Sequence, residues 1–344
     1  MSDNHQQLMN ALQNLLNRLD EIDSQCATGF PLYSIGDSNE WLVSQSGSWM
    51  GGFWAGCWWL RAHLTQSNID YTKAVALCEK LRDKIQLDSS YRSLIFWYGA
   101  ALGDVWFQND TARHIAIEAA NALATSYDSQ LHCVPLGTAL GAGEAGQYII
   151  TVDGLASLID LLTHSGDTEH AAIARQHANT LIDVCLTKTG ACHAEARDIN
   201  GYFQATDTAG DWSRGQAWAM LGITRAAQQW GEPYLSMAQS ACDYWLRSRP
   251  QSLPLNRLSD PAGLKDPSAT VIAALAMLSL AEQVTEGEQW RDAAVQQLTA
   301  LVQSEYVNNS IFSGCCYKIK AQQIALVESS WGLFLLLSAL ATIK

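Results

Sequence analysis

Apolar residues recur every three to four positions along almost all of this 344-residue chain, whereas alternating β-branched runs are few. Prolines number only seven, so little interrupts a helical reading. The runs between turn signals predict helices over roughly 5–23, 50–65, 70–86, 92–107, 111–126, 153–164, 168–187, 213–230, 233–248, 268–283, 287–304 and 330–342. These come in two alternating kinds. Stretches such as "GGFWAGCWWLRAHL", "DGLASLIDLLTH", "GQAWAMLGITRAAQQW" and "SATVIAALAMLSLAEQ" are dense in Gly, Ala and aromatics all round. Each is followed, after a short polar turn, by a plainly amphipathic helix, for example "YTKAVALCEKLRDKI" or "TEHAAIARQHANTLIDV". A helix that is apolar on every side is buried, and one with a polar stripe faces solvent.

The alternation is a helical-hairpin repeat of about 50–60 residues including its connection. The fold class it predicts is all-α: an (α/α)6 barrel of six inner and six outer helices, one catalytic domain over residues 1–344. An open solenoid of paired helices is the alternative. The longer connections, about 127–152, 187–212, 249–267 and 305–329, precede inner helices. In a closed barrel they gather at one mouth, where a site is expected.

Composition narrows the partners. With 21 Lys and Arg against 34 Asp and Glu the net charge is −13, which argues against nucleic acid and makes any anionic substrate depend on local cations. Thirteen Trp supply flat faces on which sugar rings can stack. The nine Cys have no framework spacing and no CxxC pair; most, such as Cys57, Cys78, Cys185 and Cys242, fall in apolar helical stretches and read as reduced, buried thiols. The start of the chain lacks a basic segment followed by an apolar core, and no apolar run reaches membrane-spanning length. A cytoplasmic location away from membranes is the expectation. Oligomeric state is not legible.

Candidate chemistry sits at predicted helix starts. Asp153 in "YIITVDGLASLIDLL" stands between a β-like approach and an inner helix. It reads either as a helix N-cap or as an acid whose pKa an aromatic barrel mouth would raise. Asp160, on the same helical face, is a second carboxylate or buried structure. In "DWSRGQAWAM" a guanidinium, Arg214, lies between two indoles, Trp212 and Trp218, with Gly215 and Gln216 beside it. Its planar fork suits a carboxylate and can stack on an indole, although a pair with Asp211 at the helix start is the simpler use. His193 in "GACHAEARD" lies in a predicted loop with Glu195, Arg197 and Asp198, and is either solvated or part of a site. Trp49 in "SGSWMGGFWAGCWWL" can stack on a sugar, while Trp54, Trp58 and Trp59 suit the barrel core. No phosphate loop, GxSxG elbow, HExxH or metal-ligand cluster is present, so no metal and no cofactor is expected.

Five segments together carry a resemblance. "SWMGGFWAGCWWL", "VDGLASLIDLLTHSGD", "CHAEARD", "DWSRGQAWAMLGI" and "KDPSATVIAALAMLSLAE" are similar, in order and spacing, to the unsaturated glucuronyl hydrolases, glycoside hydrolase family 88, over roughly residues 45–285. The resemblance implies an (α/α)6 barrel. It also implies removal of the 4,5-unsaturated uronic acid at the non-reducing end of lyase-generated oligosaccharides. In that family an Asp protonates C4 of the vinyl ether, water adds at C5, and the hemiketal collapses. By matching position Asp153 is that acid and base; Trp49 and Trp218 are ring platforms, His193 and Gln216 substrate contacts, and Arg214 an anion or hydroxyl clamp.

The departures are also specific. The family's His-Asp-Leu-Gly-Phe motif, with its second Asp, reads "DSSYRSLIFWYGAALGD" here, and by spacing Tyr91 and Arg92 fall at the pair. Arg92 in place of a carboxylate is expected to lower the pKa of Asp153 and to add a cation for substrate. The Trp expected ahead of Asp153 is missing, and a Gly-Asp-Tyr-Phe-type helix start reads "ESSWGLF". Three outcomes follow: a divergent member with Arg92 reading a sulfated or second carboxylated sugar, a relocated carboxylate at Glu195, Asp198, Asp207 or Glu328, or a barrel that binds sugar without hydrolysing it. A sugar epimerase or isomerase on the same barrel would need a His pair at the mouth, where only His193 and His132 are placed.

Overall fold

The computed structural model describes residues 3–36, 38–320 and 323–344. Helix α1 (Asp3–Gln25) opens the chain and is followed by strands β1 (Phe30–Ile35) and β2 (Trp41–Ser44). The hairpins come next. Helix α2 (Gly51–Thr65) pairs with α3 (Asn68–Lys80), and the inner stretch α4 (Arg92–Phe96), a π-turn at Trp97–Ala101 and α5 (Leu102–Phe107) pairs with α6 (Asp110–Ala124). Strand β3 (Ile149–Thr151) leads into α7 (Leu155–His164) and α8 (Thr168–Cys185). Strands β4 (Glu195–Ile199) and β5 (Tyr202–Ala205) precede α9 (Ser213–Trp230) and α10 (Tyr234–Ser248). Helices α11 (Pro267–Ala281) and α12 (Glu288–Val302) form the next pair. The short hairpin β6 (Val307–Asn308) and β7 (Ile311–Phe312), then β8 (Cys315–Lys320) and β9 (Gln323–Ser329), lead to α13 (Ser330–Thr342).

Local chemistry fixes the outer helix starts. Ser67, Asn109 and Asp167 each accept a backbone N–H from the first turn of the helix they precede. The inner helices pack in a ring: α2 on 92–107, then α7, α9, α11, α13 and back to α2. The ring closes with the chain ends. Helix α13 is inner, and its outer partner is α1, which packs on both α13 and α12. The expected barrel is therefore present, and the open solenoid is excluded. Close packing within the ring depends on Gly52, where a Cβ would come within 2.3 Å of the Ile95 carbonyl oxygen.

The strands are an addition to the helix-only pattern. Strands β2, β1, β9 and β8 form one antiparallel sheet, and β3, β4 and β5 another. Both lie in connections that precede inner helices. A buried two-pronged pair, Arg18 Nε and Nη2 to Glu328 at 3.2 and 2.9 Å, ties α1 to β9. Glu328 is thus spent on the fold. All nine cysteines are free and buried. Among the described residues no helix is long and apolar enough to cross a membrane.

Candidate active site

Six inner helix starts converge at the mouth that carries the sheets. Trp49 precedes α2, Tyr91 precedes α4, Asp153 precedes α7, Arg214 is the second residue of α9, Asp266 precedes α11, and Trp331 is the second residue of α13. Helix N-termini present unpaired N–H groups and positive dipole ends, an arrangement that favours an anion. Five of these six side chains, all but Asp266, line one pocket of about 200 Å³, completed by Leu94, Trp212, Trp218 and Tyr317. That lies below the roughly 300–1,000 Å³ of drug-sized sites and suits a single ring. A larger cavity, of about 390 Å³, opens at the opposite end, where Asp160 is committed to Arg225 at 3.4 Å. Asp160 is structural, and the chemistry belongs to the smaller pocket.

Asp153 does not cap a helix. Gly154 holds the cap position of α7, and no side chain caps its first turn. Instead the carboxylate faces the pocket: Oδ2 accepts from the Tyr91 hydroxyl at 3.5 Å, and Oδ1 is buried with no hydrogen-bond partner among the described residues. Burial pushes the carboxyl up to about 6, with Arg214 and the Tyr91 bond pulling it down and Glu195 pushing it up. Burial also drives the Tyr91 phenol well above its ordinary range, so it stays a neutral donor.

Arg214 is held between indoles, but the second is Trp331 and not Trp218. Its guanidinium lies 5.1 Å from the Trp212 ring and 5.3 Å from the Trp331 ring. Its partner is the fully buried Asp266, reached through Nη1, which also donates to the Cys316 carbonyl at 2.7 Å. The pair with Asp211 does not form, because Asp211 accepts from Arg257 at 3.1 Å and from the Ser259 amide at 2.7 Å. Asp266 in turn accepts from Ser268 Oγ at 2.5 Å and the Cys316 amide at 3.2 Å. Every hydrogen bond Arg214 makes to the described residues leaves Nη1. Arg214 also lines the pocket, so Nε and Nη2, which make none of these bonds, are donors available for a carboxylate there.

The remaining candidates divide. Trp49 and Trp218 line the pocket. Gln216 does not: fully buried, it accepts from the Cys192 amide at 2.7 Å and donates to the Gly190 carbonyl at 3.0 Å, stapling the 187–212 connection to α9. His193 is also outside the lining, with Nδ1 2.8 Å from the Asp207 carbonyl oxygen. A carbonyl only accepts, so Nδ1 carries the proton. Asp207 accepts from the Ala194 amide at 3.0 Å across the base of the β4–β5 hairpin, and Asp198 from the Gly201 amide at 2.8 Å closes its turn.

Arg92 corrects the sequence expectation most sharply. Its buried guanidinium donates to the Ser89 carbonyl at 3.0 Å, the Ile85 carbonyl at 3.0 Å and Ser126 Oγ at 2.6 Å, away from the pocket. It therefore neither lowers the pKa of Asp153 nor meets substrate; its neighbour Tyr91 occupies the place. Arg92→Met should lower stability by about 1–3 kcal/mol, because the buried Ile85 carbonyl loses its donor and the Ser89 carbonyl keeps only the backbone N–H of residue 92, while KM stays unchanged. Urea unfolding and steady-state kinetics on the same sample check both halves. Sequence reasoning missed Tyr317 and Trp331 as pocket walls and Asp266 as the anchor of Arg214. Trp331 in "ESSWGLF" and Asp266 in "KDPSAT" lay inside the segments compared, whereas Tyr317 had no helical pattern to flag it.

The architecture and site define a helical barrel with an acid and a cation at an aromatic mouth. No family model matches the chain. It is 25% identical over 296 residues to the unsaturated glucuronyl hydrolase of Bacillus sp. (strain GL1), covering 79% of this chain and 78% of the relative. It is 24% identical over 315 residues to an unsaturated chondroitin disaccharide hydrolase of Streptococcus pyogenes serotype M1, covering 83% and 76%. The crystal structure of the Bacillus sp. GL1 unsaturated glucuronyl hydrolase superposes with a TM-score of 0.84 at 22% identity, over 99% of this chain and 97% of that one. The chain is a divergent relative of the unsaturated glucuronyl hydrolases and shares their fold.

Proposed function

We propose that this chain is a glycoside hydrolase, one catalytic domain that releases a 4,5-unsaturated uronic acid from the non-reducing end of lyase-generated oligosaccharides. The observation that carries the reading is a lone carboxylic acid, held near pKa 6, facing an anchored arginine across a one-ring aromatic pocket.

The chemistry follows from the substrate's own electrons. A C4=C5 double bond conjugated to the ring oxygen is a vinyl ether, and protonation at C4 leaves a cation at C5 shared with that oxygen. Asp153, protonated, supplies the proton; the resulting carboxylate takes one from the water that adds at C5. The C5–O5 bond of the hemiketal then breaks, C1 is left as a hemiacetal, and its collapse frees the neighbouring sugar. Arg214 grips the C5 carboxylate, and Trp49 and Trp218 flank the ring. One carboxylate serves as acid and then as base, so a second Asp is not needed for proton movement. Paired-carboxylate glycosidases place two acids about 5–10 Å apart, whereas Asp153 is the single carboxylate in this lining among the described residues.

Decay of the ultraviolet absorbance of the conjugated uronate tests the reading. A panel of lyase-made disaccharides in which none loses absorbance would sink it. The pH profile is a second expectation. The reaction starts from protonated Asp153, so kcat/KM should be flat below about pH 6 and fall about tenfold per unit above it. The Tyr91 hydroxyl holds that pKa down, so Tyr91→Phe should move the inflection upward. A cytoplasmic location fits the nine reduced, buried thiols, and the charge of −13 fits a partner other than nucleic acid.

A further inference from the structure

Beyond the ring pocket, the rim carries a carboxylate where a charged neighbouring sugar would need a cation. Strand β3 pairs with β4 in antiparallel register, with Thr151 directly opposite Glu195. Opposed residues project from the same face of a sheet, about 4.5–5.5 Å apart at Cβ. Thr151 lies two residues before Asp153, so Glu195 stands at the edge of the reacting site without lining its floor. Its Oε1 accepts from Thr206 Oγ1 at 3.0 Å, which steadies the side chain while leaving it partly exposed.

Several cations near the mouth are already committed. Among the described residues Arg214 is the single cation in the lining, and its task in the reading above is the uronate. Arg257 is paired with Asp211, and Arg92 is buried against backbone carbonyls. On β8, Tyr317 lines the pocket and Lys318 lies on the opposite face; the register slips between Lys318 and Lys320, which returns Lys320 to the face of Tyr317 but three residues farther along the strand and outside the lining. Arg197 shares the face of Glu195 but lies two residues farther along β4, beside Ile149 and so farther than Glu195 from Asp153.

Resting on the reading proposed above, we infer that Glu195 sets the substrate class of this site: the sugar attached to the unsaturated uronate must be uncharged. Hydroxyls on that sugar can donate to the Glu195 carboxylate. A sulfate or a second carboxylate there meets a like charge at close range, inside the field of a chain that is already strongly acidic. This replaces the expectation of a sulfate-reading Arg92 with selection against sulfate.

The experiment uses one matched pair, an unsaturated uronyl–N-acetylgalactosamine disaccharide with and without a 6-sulfate. The intact protein should favour the unsulfated form by at least about tenfold in kcat/KM. Glu195→Gln should narrow that ratio severalfold, and Glu195→Lys should reverse it. Calorimetric binding of the same pair to Asp153→Asn reads the same preference without turnover. A preference that is absent in the intact protein, or untouched by both Glu195 substitutions, overturns the inference. If neither sugar is hydrolysed but the binding ratio follows Glu195, the hydrolase reading falls and the charge selection stands.

Discussion

Asp153→Asn should lower kcat by about 10²–10⁴-fold while leaving substrate affinity within a few fold. The amide keeps the shape of the carboxyl and cannot give up a proton to C4, so the first bond-making step loses its acid. Arg214 and the aromatic walls remain, and with them the grip on the uronate ring. Stability supplies the control that separates lost chemistry from lost structure. The folded-state pKa of Asp153, about 6, lies above the ordinary carboxylate value, so folding favours the protonated form. That contribution is fully present below about pH 4 and is lost as pH rises through about 6. Above that point the fold carries a desolvated charge with one oxygen unpartnered. The neutral amide escapes this cost, so the variant should unfold at equal or higher urea concentration at pH 8, by on the order of 1–3 kcal/mol. An inactive protein that is also less stable would point to a structural role for Asp153. Retained absorbance decay would remove it from the mechanism altogether.

The barrel was legible because its two helix kinds answer to different solvents. Inner helices such as α11 are apolar all round, and outer ones such as α8 keep a polar stripe, so order and pairing could be read from composition alone. Most helix ends fell within a few residues of expectation for the same reason. The strands were not legible. They are two to seven residues long, and β1 finds β9 across almost the whole chain, a pairing no local pattern encodes. At the site, the residues on the "DWSRGQAW" and "VDGLASL" segments were found, yet their partners were not. Asp266 is 52 positions from Arg214, and only tertiary packing shows that this carboxylate takes the guanidinium while the nearby Asp211 is occupied by Arg257 and the Ser259 amide. The Tyr91 and Arg92 ambiguity has another origin. Neighbours at a helix start project about 100° apart, so spacing alone could not say which one entered the pocket.

Arg214→Met should act twice, and a second substitution separates the two effects. In the fold, Arg214 compensates Asp266, a carboxylate with no exposure to water. Removing one partner of such a pair leaves an uncompensated buried charge, a loss of about 3–5 kcal/mol. In the site, the guanidinium is the lone cation of the lining among the described residues, so the uronate loses its charge-assisted contact and KM should rise by about 10²–10³-fold. Adding Asp266→Asn removes the stranded charge. The double variant should recover most of the stability in urea unfolding, since Ser268 Oγ and the Cys316 amide still have an oxygen to meet. Activity should not recover with it, because the clamp is still missing. If restoring stability also restores KM, Arg214 serves the fold alone and the anion must be bound elsewhere. If neither property recovers, the structural weight of Arg214 lies in its stacking between Trp212 and Trp331, with the Asp266 pair secondary.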